Sequence, residues 1–70
     1  MDVEFTTALH KQLGDSKIQI NTLTDTLVGE ADLQQRAINQ RRLEAHRERA
    51  KCIETLLRVE SLLDELDYGQ

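Results

Sequence analysis

Proline is absent from this chain, glycine occurs three times, cysteine once, and the only aromatic side chains are Phe5 and Tyr68. Each shortage removes a class of function. Without a glycine-rich stretch there is no loop to cradle a phosphate. Cys52 has no second cysteine to pair with inside the chain, so no disulfide can staple the fold, and the residue fits a reducing compartment. No apolar run approaches the 18 residues of a membrane span. The start, Met1-Asp2-Val3-Glu4-Phe5, is acidic where a signal peptide would be basic and then greasy, which predicts a cytoplasmic protein. At this length a chain buries only about 60% of the surface its unfolded form exposes, so a lone core is marginal and association is expected.

What remains is charge and helix-forming residues. The formal net charge is −4, and its distribution matters more than its sum. Residues 36–51 carry Arg36, Arg41, Arg42, Arg47, Arg49 and Lys51 against Glu44 and Glu48. The flanking segments are acidic: six acids against two lysines in residues 1–35, and five acids against Arg58 in residues 52–70. A basic middle between acidic ends favours internal complementarity over a uniform field that would steer a polyanion.

The pattern predicts an all-α chain, a single domain over 1–70 folded as a two-helix antiparallel hairpin of coiled-coil character with a longer second helix. In the first helix, about 3–28, Leu9, Leu13, Ser16, Ile20, Leu23 and Leu27 recur in alternating steps of four and three. Gly14-Asp15-Ser16 followed by Gln19 reads either as a tolerated glycine in a continuous helix or as a capping box that opens a new one. The turn, about 29–31, is assigned to Gly29, which can close a helix in the left-handed conformation, with Asp32 capping the second helix. That helix, about 32–67, has no glycine or proline and is rich in Arg, Glu, Gln, Leu and Ala. Its seam is expected at Ile38, Arg42, Ala45, Arg49, Cys52, Leu56, Val59, Leu63 and Leu66, with Ile53, Leu57 and Leu62 beside it. The first helix is too short to reach the end of the second at about 1.5 Å per residue. Val59, Leu62, Leu63 and Leu66 are therefore expected to need a second molecule.

No catalytic, cofactor or metal site is expected. His10 and His46 fall on different helices at offsets that do not meet, and Cys52, six residues after His46, misses the spacing for two ligands on one helix face. Cys52 has no neighbour placed to activate it as a nucleophile and is expected to fill the seam. His46-Arg47-Glu48 is similar to the phospho-accepting histidine of two-helix phosphotransfer modules, but His46 is read as a solvent-face histidine among charged neighbours. The basic segment suits phosphate contacts, but interspersed Glu44 and Glu48 and the lack of stacking aromatics count against nucleic acid.

Leu23-x-x-x-Leu27-x-Gly29, then Gln34 and Gln35, then Ala50-x-x-Ile53-Glu54-x-Leu56-Leu57 leading into an apolar end give a further signal. In size and pattern the chain resembles the small co-chaperones of bacterial type III secretion systems, the YscE/PscE type. The resemblance implies two antiparallel helices that pair with a larger helical-repeat chaperone and keep a needle subunit soluble in the cytoplasm. Arg41, Arg42, Arg47 and Arg49 depart from that pattern. Candidate partner-binding or hairpin-core positions are Phe5, Leu9, Leu13, Ile53, Leu56, Leu57, Val59, Leu62, Leu63 and Leu66. The alternative expectation is a self-associating helical bundle with a regulatory or structural role, nucleic-acid binding included.

Overall fold

The computed structural model describes residues 3–68; residues 1, 2, 69 and 70 of the expected domain lie outside that range. Two helices fill it, α1 (Val3–Gly29) and α2 (Leu33–Tyr68), folded back on each other along their lengths. The predicted hairpin with a longer second helix is what the chain forms. Its radius of gyration is 16.4 Å and its extents are 57 × 15 × 13 Å. A compact domain of this length would have a radius of gyration of about 11 Å. The molecule is a rod two helices wide, with nearly all of its side chains on a surface.

α1 runs through Gly14-Asp15-Ser16 without interruption, which decides between the two readings of that segment. A Cβ added at Gly14 would meet nothing within 4 Å, so this glycine is not required by packing. It is carried at a cost of about 1 kcal/mol relative to alanine. The seam on both sides outweighs it. Leu9, Ser16 and Leu23 are buried, and Leu13, Ile20 and Leu27 are half-buried, in line with their spacing; Thr6 extends the same stripe. The β-branched Thr24 and Thr26 are accommodated by donating their hydroxyls to the carbonyls four residues back, Ile20 at 2.7 Å and Thr22 at 2.9 Å.

The turn is made differently from expectation. Gly29 does not adopt a positive φ. The Glu30 N–H donates to the Leu27 carbonyl at 3.4 Å, and Arg36 Nη1, reaching back from α2, donates to the carbonyls of Leu27 (3.3 Å) and Glu30 (3.0 Å). A side chain of the second helix thus satisfies carbonyls that a left-handed glycine would otherwise have helped to satisfy through the backbone. Asp32 caps α2, as expected. Its Oδ1 accepts from the Gln34 N–H at 2.9 Å and, at the edge of range, from the Gln35 N–H at 3.5 Å, while its own N–H donates to Glu30 Oε1 at 2.9 Å.

The seam of α2 is one residue away from the predicted one. Asn39, Leu43, Ala50 and Ile53 are buried, and His46, Leu57, Glu60 and Asp64 continue the same phase half-buried. Every residue of the predicted seam, Ile38, Arg42, Ala45, Arg49, Cys52, Leu56, Val59, Leu63 and Leu66, is exposed. One residue turns a helix by about 100°, so the shift carries the whole predicted stripe off the hairpin interface. The physical reason lies between residues 42 and 53. Leu43, Ala50 and Ile53 offer α1 a seam without cations, whereas the competing phase would bury Arg42 and Arg49, and a buried unpaired charge is expensive. Three smaller expectations fall with it. Cys52 is exposed and fills no core, His46 is in the seam instead of on the solvent face, and Arg42 and Arg49 are free of the seam.

Candidate functional site

The ten candidate positions divide into two groups on the structure. Leu9, Leu13, Ile53 and Leu57 belong to the hairpin core, with Ile53 only 4% exposed. Phe5, Leu56, Val59, Leu62, Leu63 and Leu66 do not; Leu56 is 45% exposed and Leu63 is 48% exposed. The second group, Phe5 apart, forms with Ile38 and Cys52 an apolar stripe along the outer side of α2.

Helix geometry explains how this stripe arises. Ile38, Ala45, Cys52, Val59 and Leu66 repeat every seven residues, and Arg42, Arg49, Leu56 and Leu63 fill the intervening positions, so they share one face, which is continuously apolar from Cys52 onward. The half-buried Leu57, Glu60 and Asp64 mark the side turned toward α1. In this C-terminal part the arrangement inverts ordinary amphipathicity. Two acids occupy the seam phase while leucines and a valine face outward. The predicted overhang therefore explains less of the exposure than the rotation does. α2 is longer than α1, 36 residues against 27, yet exposure of the stripe already begins at Ile38 and Leu56, inside the paired length. An apolar face continuous over several helical turns is the feature that marks an interaction surface on a small protein.

Two shallow troughs lie on this outer side, one lined by Glu48, Lys51, Cys52, Thr55 and Leu56, the other by Gln34, Ala37, Ile38 and Arg41. Both are open channels between side chains of a single helix, suited to receiving the ridge of another helix. The outer side is charged in two blocks: Arg41 and Lys51, with Arg42 and Arg49 in the stripe's own phase, in the N-terminal half, and Glu65 and Asp67 in the C-terminal half. Across the hairpin, Lys17 Nζ approaches Glu54 Oε1 at 4.0 Å with both side chains largely exposed, an edge contact of about 0–1 kcal/mol.

Among the described residues the core has a polar defect. Ser16 is fully buried in the α1 seam, at 0% exposure, and its hydroxyl has no hydrogen-bond partner. Among the described residues no three His, Cys, Asp or Glu side chains converge on a point where a metal ion could sit. No helix among them is long and apolar enough to cross a membrane.

The residues that sequence reasoning missed are Asn39, Leu43, His46 and Ala50, the N-terminal half of the true seam. The signal for them is present: past Arg36 their phase is the one free of arginine. Comparison with protein families, curated proteins and solved structures finds no match for this chain.

Proposed function

We propose that this chain is a non-enzymatic cytoplasmic accessory chaperone or adaptor. In this reading the outer face of α2 docks on a larger helical-repeat chaperone and, through it, helps to keep a type III secretion needle subunit soluble. The observation that carries the docking part is the stripe Cys52, Leu56, Val59, Leu63 and Leu66, which α1 leaves uncovered. The hairpin architecture is the one that the resemblance to the small co-chaperones implies, and it supplies the reason for naming that class of partner. An amphipathic helix laid into a groove of a helical protein buries residues at this spacing. The troughs described on α2 are open surface features, which suits docking of a helix more than the enclosed binding of a substrate.

Co-expression of the tagged chain with helical-repeat and needle-like subunits, followed by capture from native lysate, tests the reading. Leu63→Asp is expected to weaken capture by at least ~30-fold, the size of a hot-spot loss of about 2 kcal/mol. Arg47→Glu, on the exposed surface, is expected to change it by less than about threefold, because rim charges act mainly on association rate. If Arg47→Glu is the more damaging change, and binding to RNA or DNA falls steeply with salt, the basic segment is a nucleic-acid surface and the adaptor reading fails.

A further inference from the structure

We propose that in the free chain the outer stripe of α2 is covered by the same stripe of a second copy running antiparallel to it. This rests on the reading above only in taking the stripe as an interface, and it commits to a different occupant.

Area supplies the first support. The accessible surface is 5552 Å² for a mass of 8.1 kDa. A folded monomer of that mass has about 4500 Å². The excess of about 1000 Å² compares with the roughly 800 Å² per partner that a specific interface removes from water. The stripe is long enough to take that burial: Ile38 to Leu66 covers about 42 Å of helix.

Charge supplies the orientation. Along α2, residues 36–51 hold six basic side chains against two acids, and residues 52–67 hold five acids against Arg58. Parallel pairing would set the basic half of one copy against the basic half of the other. Antiparallel pairing sets each basic half against an acidic one, with Arg41 and Arg42 within about one helical turn of Glu65 of the second copy. Coiled-coil pairs choose orientation by this kind of flanking complementarity.

Symmetry then fixes the register. Ile38 and Leu66 are equally distant in sequence from Cys52, as are Ala45 and Val59. A two-fold axis at Cys52 sets Ile38 against Leu66 of the second copy and Ala45 against its Val59, which is the self-complementary patch an isologous dimer requires. Arg42 falls opposite Leu62 of the second copy and Arg49 beside its Leu56, where their alkyl stems pack and their heads reach the acidic rim.

The test uses the purified full chain. Sedimentation equilibrium at ~100 μM, where contacts of micromolar affinity are formed, is expected to give twice the chain mass. Leu56→Asp is expected to give a single chain mass with its helical circular dichroism retained. In a Cys52→Ala background, Ala45→Cys and Val59→Cys are prepared separately and treated with a short bismaleimide. Antiparallel pairing predicts that the mixture cross-links several-fold more than either variant alone. A single-chain mass for the unmodified protein overturns the proposal. So does self-linking of each variant without a gain on mixing, which is the parallel result. Either failure leaves the adaptor reading standing, because that reading is decided by capture of a different protein and by its loss in Leu63→Asp.

Discussion

The two long faces of α2 differ in a way that composition alone would misassign. The inner face joins Asn39, Leu43, His46, Ala50, Ile53 and Leu57 and then turns acidic at Glu60 and Asp64; the outer face starts with Ile38 among arginines and ends in Val59, Leu62, Leu63 and Leu66. In the first half the inner face is the more apolar, and in the second half the outer one is. α1 engages the inner phase throughout because a straight helix pair cannot change phase midway without breaking its 3.5-residue repeat. The N-terminal half of α2 therefore decides the interface, and the C-terminal half is left with its greasier side outward. A fold selects the cheapest continuous seam, not the largest local patch.

The sharpest way to break this distinction is to place one carboxylate on each face. Ile53→Asp puts a charge at a position 4% exposed, and its burial costs several kcal/mol. Circular dichroism of the dilute chain is expected to show loss of the cooperative melt. Leu63→Asp in the same assay is expected to keep the helical signal. Equal damage from the two substitutions would mean that the faces are energetically one core.

A smaller effect probes the seam alone. Ser16→Ala removes a fully buried hydroxyl that has no partner, and urea denaturation is expected to show a gain of about 1–2 kcal/mol. A loss of stability would show that the hydroxyl is bonded in solution. Smallest of all should be Glu60→Leu, which replaces a half-buried acid in the seam phase by an apolar side chain. Half the burial of a leucine contributes about 1 kcal/mol. If the melting midpoint does not rise, the seam ends before residue 60 and the phase comparison applies only upstream.

Much of the architecture is legible in the residues. The unbroken run from Leu33 onward, the alternating steps of α1 and the Asp32 cap each come from local rules, and each is present. The phase of α2 is not, because two stripes one residue apart compete and the apolar tail advertises the wrong one. Burying Arg42 and Arg49 is the cost that excludes it. Gly29 misleads for another reason: satisfaction of the last α1 carbonyls comes from Arg36, a side chain seven residues on, and no local turn rule looks that far. The leucines of the outer stripe are uncovered, but their exposure comes more from rotation than from length.

Arg36 also gives the hairpin an order of assembly. A ribosome delivers α1 first, and most of a helix's stability in a protein comes from packing its apolar face against a neighbour. The Leu27 carbonyl, already bonded at 3.4 Å by the Glu30 N–H, and the Glu30 carbonyl gain the Arg36 guanidinium as a donor only when the first turn of α2 brings it back to them. The knot of bonds at residues 27–36 can therefore close before the distant leucines meet, and it aims the emerging second helix down the length of the first. Pairing then proceeds outward from neighbours close in sequence, the kind of topology that folds quickly. The outer stripe, completed last as residues 56–66 emerge, is presented only on a chain whose inner seam is already taken.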